Sequence, residues 1–350
     1  MLRRMTHRFV EGAASAFDVA LKNAVARRVE RGRRGVSHAE HESRLELLAR
    51  LAESYPRSPS PEFFEPGAPI DPSARQRRDD RGRTVSDLNW SSRYTPYLAD
   101  FGERYLAHAD NRVASARLFT RGTPRPIAVL VHGYMSGHYG VEQRIWPIDE
   151  LDDAGFDVAL FVLPFHAKRA GAHRGAPLFP GRDPRFTNEG FRQAVGDLRG
   201  FVRYLRSSGH PRVGLFGMSL GGYTAALTAS VEANLDFLVP VVPLACLADF
   251  SREQGLLGDR ATDSDPLHQA LETVYRGVSP LGAPSLVRPE RIVVVGARAD
   301  RITPISHARR LATHLSAPLV AFRGGHLLQL GREKAFERVF RLLETVRDAG

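Results

Sequence analysis

The sequence predicts an α/β protein in which a mostly parallel sheet is covered by helices on both faces. From residue 84 onward, short apolar runs rich in β-branched residues recur: "ASARLFT", "PIAVLVHG", "DVALFVLPFH", "RVGLFG", "DFLVPVVPLA", "RIVVVGA" and "APLVAF". Helix-length stretches such as "NEGFRQAVGDLRGFVRYLRSSG" and "ISHARRLATHLS" separate most of them. A strand that is apolar without alternation is buried on both faces, which is what a parallel sheet between two helical layers requires. In such sheets ligands bind beyond the C-terminal ends of the strands, so residues that carry chemistry should lie there. A length of 350 residues fits one large domain of this kind plus an extension.

The elements follow in order. The opening "MLRRMTHRFVEGAASAFDVALKNAVARRVERGRRG" begins like a signal peptide, but Glu11 and Asp18 interrupt any apolar stretch, and the segment reads as mature protein. Met5, Phe9, Ala13, Phe17, Leu21 and Val25 recur about one turn apart between arginines, which predicts a basic amphipathic helix. That helix is expected to pack on the main domain; peripheral contact of residues 1–35 with an anionic membrane is the alternative. Ser37 and Glu40, in capping-box spacing, open a second helix whose stripe is Leu45, Leu48 and Leu51. The division predicted is a helical extension over 1–56, a Pro- and Ser-rich extended connector over 57–83, and a main α/β domain over 84–350 with a short insertion at about 247–287. No run reaches the roughly 18 apolar residues that a membrane span needs.

The totals narrow the function. With 43% hydrophobic and 25% charged residues, the chain is an ordinary soluble globular protein. The formal charge of +10 raises the question of nucleic acid, but the basic residues are nearly all arginine, scattered among acids, and no reading motif is present. No nucleic-acid partner is expected. Cys246 is the sole cysteine, which excludes an intramolecular disulfide and a cysteine zinc cluster and points to a reducing compartment, the cytoplasm.

The segment "RVGLFGMSLGGYTAAL" places Ser219 where a strand-like run gives way to a helix-like one. A serine at such an elbow is thrust out of a strained backbone, and Gly217 and Gly221 are needed where side chains would collide with neighbouring elements. A hydroxyl is a weak nucleophile at neutral pH and requires a base, itself oriented by a third group. His326, in "VAFRGGHLLQLG" just past the last strand-like run, is the base candidate. Asp300, in "RIVVVGARADRITP", is the acid, with Asp249 after "VVPLACLA" in reserve. Charge that grows on the substrate oxygen needs preset donors. The backbone N–H groups of Tyr134, in "PIAVLVHGYMSG", and of Leu220 are the candidates, and His132 is read as a structural hydrogen-bonder of that loop.

The order Ser219, Asp300, His326, with the histidine-glycine loop upstream, resembles the α/β-hydrolase superfamily over roughly residues 90 to 348, on the motifs "HGYMSG", "GMSLGG", "GARADRITP" and "RGGHL". The segment "LPFHAKRAG" is similar to a loop of esterase-like, abhydrolase-domain members. The resemblance implies the α/β-hydrolase fold and acyl transfer to serine followed by hydrolysis, with no cofactor and no metal. Two departures stand out: where many members insert a large lid, this chain has a short segment, and the amino-terminal extension is outside the common fold.

The loop from Phe165 to Phe186 follows a strand end, and its His166, Lys168, Arg169 and Arg174 are candidates to attract a carboxylate or phosphate on the substrate. Met135 and Met218, with Tyr134 and Leu327, are candidates to line an acyl pocket. The function expected is a serine hydrolase of a small-molecule or lipid ester, either a carboxylic ester or a thioester. The alternatives are a membrane-associated lipid or phospholipid deacylase and a non-catalytic hydrolase-like binding protein.

Overall fold

The computed structural model describes Ser15, Asp18 and residues 38–65, 69–79, 81–173, 175–258 and 261–349. Its elements run α1 (His38–Ser54), β1 (Ser73–Arg78), β2 (Thr84–Ser91), α2 (Ala99–Leu106), β3 (Val113–Thr120), β4 (Ile127–Val131), α3 (Tyr139–Ile145), α4 (Ile148–Asp153) and β5 (Asp157–Phe161). There follow α5 (Pro184–Ser207), β6 (Val213–Met218), α6 (Leu220–Ala229), β7 (Phe237–Val241), α7 (Leu247–Glu253), α8 (Ala261–Val274), β8 (Val294–Ala297), α9 (Ile305–His314), β9 (Leu319–Phe322) and α10 (Glu333–Asp348). One nine-stranded sheet has the order β1-β2-β3-β5-β4-β6-β7-β8-β9. From β5 to β9 all neighbours are parallel, while β1, β2 and β3 join as an antiparallel flank.

The central strands β4, β6, β7 and β8 are apolar because both of their faces are covered. Along β4, Ile127, Val129 and Val131 enter one core with Leu215 of β6 and Leu198 and Phe201 of α5. Ala128 and Leu130 enter the other, with Leu151 of α4 and Val339 and Leu343 of α10. Each such aromatic or branched side chain, taken fully out of water, stabilises the fold by about 1.5–3 kcal/mol.

Helix α5 starts where Asp183 accepts the Arg185 N–H at 3.0 Å and Pro184 presets the first turn. It stops at Gly209, whose φ of 93° allows the reversal that a side chain resists. Helix α6 is buried on every side, which its run of Gly, Ala and Thr permits: small residues let it lie close against β6 and β7, and the Thr224 and Thr228 hydroxyls bond back to the carbonyls of Leu220 and Thr224.

Described residues of the Pro-rich 57–83 segment are packed on the main domain. Phe63 and Phe64 are buried, Arg192 of α5 donates to the Phe63 carbonyl at 2.8 Å, and Arg199 donates to the carbonyls of Pro61 and Phe64. Residues 73–78 form β1, paired to β2 though exposed at all six positions. The amphipathic helix expected over residues 1–35 lies outside the described residues except for Ser15 and Asp18, both helical. The second helix is present as α1, with Leu48 and Leu51 in the core, packed on α8 of the short insertion. No described helix is long and apolar enough to cross a membrane.

Candidate active site

Ser219 sits between β6 and α6 with φ 56° and ψ −113°, a backbone conformation that L-residues avoid and that persists only when its surroundings enforce it. The enforcement is visible on both sides: the Ser219 N–H donates to Val241 O at 3.0 Å, and the Ser219 carbonyl accepts from Leu244 at 3.2 Å and Tyr223 at 3.1 Å. The glycines are required by space. A Cβ on Gly217 would meet the Gly221 carbonyl oxygen at 2.1 Å, and one on Gly221 would meet the Val131 oxygen at 2.0 Å. The elbow therefore closes only with glycine at both positions.

His326 and Asp300 lie past the C-terminal ends of β9 and β8, and Nδ1 of the histidine is 2.8 Å from Oδ2 of the aspartate. Both are buried. A proton shared along that bond leaves Nε2 as the basic nitrogen. Burial lowers the His326 pKa, but the attraction and hydrogen bond of Asp300, helped by the charge of Asp18, outweigh it, and the net direction is upward from 6.5. The other Asp300 oxygen accepts the N–H groups of Ile302 and Thr303, both at 2.8 Å, so the carboxylate is fixed in its own turn. Asp249 is elsewhere: it accepts from His268 at 2.7 Å and from Arg310.

The loop after β4 closes over the elbow. A Cβ on Gly133 would stand 3.5 Å from Ser219 Cβ, so the amide of Tyr134 follows at a residue already against the serine. Among the described residues, neither the Tyr134 N–H nor the Leu220 N–H donates to a protein acceptor. His132 ties this loop down: its Nδ1 is 2.7 Å from the Gly133 oxygen and its Nε2 accepts the Leu163 N–H at 3.0 Å. Burial lowers its pKa, in keeping with a neutral ring. Glu142 adds a second tie, accepting from Gly137 N–H at 2.9 Å and from the Ser136 hydroxyl.

Of the substrate-contact candidates, Met218 adjoins the serine and its sulfur lies 3.7 Å from Gln329 Nε2 on the His326 loop; Met135 is 51% exposed on the Gly133 loop. Two candidates are turned inward instead. Arg169 is fully buried, paired with Asp197 at 2.8 Å and donating to the carbonyls of Val162 and Asn111. His166 is buried under Tyr134, 5.7 Å between ring centres, and burial pushes its pKa down to about 3. Lys168 reaches Asn89, and Arg174 lies outside the described residues.

Two residues of the site carry no role in the sequence reading. The Thr303 hydroxyl stands 2.9 Å from His326 Nδ1, 3.1 Å from Asp300 Oδ2 and 3.0 Å from the Val242 carbonyl, joining the acid, the base and the end of β7. The signal was present in the Asp-x-x-Thr spacing, where a threonine three residues on can return a hydrogen bond. Asp18 is the other; its buried carboxylate accepts the backbone N–H groups of His326 and Leu327.

No family model matches the chain. Two uncharacterized proteins, from two strains of Mycobacterium tuberculosis, are 32% identical over 274 residues, 75% of this chain and 65% of theirs. The match thus spans less than two thirds of those relatives. Among solved structures, acetyl xylan esterase 1 from Thermoanaerobacterium sp. superposes with a TM-score of 0.53 at 17% identity, covering 84% of this chain and 98% of its own. An acetyl xylan esterase from Paenibacillus sp. gives 0.54 at 17% identity, with the same 84% and 98% coverage. With the strand order, the parallel run from β5 to β9 and the strained serine between β6 and α6, these superpositions show that the chain has the α/β-hydrolase fold.

Proposed function

We propose that the protein is a serine hydrolase that cleaves a carboxylic ester or thioester through an acyl-enzyme on Ser219. The observation that carries this reading is the strained elbow serine at the end of β6 together with a buried, hydrogen-bonded Asp300–His326 pair past the ends of β8 and β9 in the same sheet. Ser219 Oγ attacks the acyl carbon while its proton passes to His326 Nε2, and the carbonyl π pair moves onto oxygen. Two backbone N–H groups, of Tyr134 and Leu220, hold that oxyanion. The tetrahedral intermediate then expels the alcohol or thiol, which takes the proton from His326; water repeats the sequence on the acyl-enzyme and releases the acid. Asp300 keeps Nε2 aimed and stabilises the imidazolium during each transfer.

Exposed apolar side chains flank the site on both loops: Tyr134 and Met135 on one, Leu327, Leu328 and Leu330 on the other. An apolar rim favours an acyl group that is itself apolar, and it is the observation that keeps a lipid ester among the substrates. The decisive experiment is Ser219→Ala with short p-nitrophenyl esters, together with a fluorophosphonate probe mapped by mass spectrometry. Loss of turnover and a label on residue 219 are expected. Full activity in the variant would remove the reading.

A further inference from the structure

We propose that Asp18 is a positioning residue, whose buried carboxylate clamps together the loops bearing His326 and Asp300 and so completes the site from the amino-terminal extension. The inference rests on the reading of Ser219 and His326 as nucleophile and base. One carboxylate oxygen accepts the His326 N–H at 2.7 Å and the Arg301 N–H at 3.3 Å; the other accepts the Leu327 N–H at 3.1 Å. Arg301 directly follows Asp300, so this single side chain bonds the backbone beside the acid and that of the base. Ser15 adds a fourth link, its hydroxyl accepting from Arg301 Nε at 2.7 Å.

The clamp adds to the Ala299 N–H bond to the Gly324 oxygen, at 3.1 Å, which already joins the two loops nearer their stems. Between the end of β9 at Phe322 and the start of α10 at Glu333 the histidine loop is held internally by Gly324 N–H to the Leu330 oxygen and Gly325 N–H to the Leu328 oxygen. Those bonds fix its stem and leave the His326 and Leu327 amides pointing at Asp18. A carboxylate with no exposed surface is tolerated only when donors surround it, and three backbone N–H groups do so here. Reciprocally, two of those amides belong to the catalytic turn, so a displacement of Asp18 moves the imidazole. Among the described residues the carboxylates facing His326 are Asp300 and Asp18; the Thr303 hydroxyl stands 2.9 Å from its Nδ1, the Gln329 amide donates to its backbone carbonyl, and the nearby Arg301 guanidinium is held by Ser15. The charge of Asp18 favours the imidazolium, adding to the upward pull of Asp300.

The test uses the full chain with Asp18→Asn, Asp18→Ala and Ser219→Ala. Hydrolysis of p-nitrophenyl acetate is followed from about pH 5 to 9, and amide exchange of the peptide spanning 326–327 is read by mass spectrometry. For Asp18→Asn we expect kcat about tenfold lower with KM little changed, as for a modest misplacement of a catalytic group. The acid limb moves to lower pH, because removing a neighbouring negative charge makes His326 lose its proton more easily, and the 326–327 amides exchange faster. Unchanged exchange overturns the clamp whatever the activity. A fall in kcat without the pH displacement also overturns it, since general destabilisation accounts for that. Full activity of Ser219→Ala takes down the hydrolase reading instead, and the exchange measurement then decides the clamp alone. If Asp18→Ala unfolds, as circular dichroism would show, Asp18→Asn, which preserves the side-chain shape, carries the test.

Discussion

The loops after β5 and β9 each place a buried histidine just past a strand end, and the two histidines have opposite properties. His166 faces aromatic rings, a second histidine and Arg169; burial is its largest influence, and its pKa falls to about 3. His326 is just as withdrawn from water, yet Asp300 at 2.8 Å and Asp18 behind it carry its pKa above 6.5. Burial by itself makes an imidazole inert at neutral pH, and a fixed carboxylate makes it a base. The two aspartate partners differ in the same way. Asp300 is bonded to an imidazole that can give up its proton; Asp197 is bonded to Arg169, which keeps its proton, and the pair ties the β5 loop to α5.

The largest effect expected along this contrast is that of Asp300→Asn. It removes what separates the two histidines, and kcat should fall by about 10⁴ because the imidazole loses both orientation and its imidazolium partner. The sign of the pH dependence follows. The base acts when neutral, so kcat/KM rises with pH through the His326 pKa; with the pull of Asp300 gone and only that of Asp18 set against burial, the residual activity of the variant should have its acid limb at lower pH. Steady-state kinetics over pH check both. Next is Asp197→Ala, which leaves the Arg169 guanidinium buried without its counter-charge and should cost about 3–5 kcal/mol of stability, read from urea melts, while the folded fraction keeps its kcat and pH profile. The smallest is Thr303→Val, which removes one hydroxyl between acid and base; a loss of about 1 kcal/mol corresponds to a roughly fivefold drop in kcat with stability little changed. If Thr303→Val matched Asp300→Asn, the threonine rather than the aspartate would be the principal partner of His326.

Much of this site is legible in the sequence because the fold forces local signatures. Gly217 and Gly221 announce the elbow, since no other residue clears carbonyl oxygens about 2 Å from a Cβ position. Asp300 and His326 are found by chain order and by strand ends. What escapes is pairing at a distance. Asp18 reads locally as a charge that spoils an apolar stretch; its role lies with backbone amides at the other end of the chain. Arg169 and His166 read as loop residues near a strand end, and only the packing shows that their heads point into the core. Strand β1, "SARQRR", carries no apolar alternation because it is exposed along its whole length, so nothing but its register against β2 marks it as a strand.

The bond between Asp18 and His326 joins residues 308 positions apart. During synthesis the carboxylate emerges first and then waits; at about 5–20 residues per second, roughly 15 to 60 s pass before its partner amide follows. No nascent chain short of the last strand can therefore assemble the histidine loop with its clamp. The residues of the central strands and of the Ser219 elbow have all been made by then, so on the proposed mechanism the serine is synthesised before the base that would activate it. On that reading the contact between residues 18 and 326 is among the last of the site to form, and hydrolysis would wait for it.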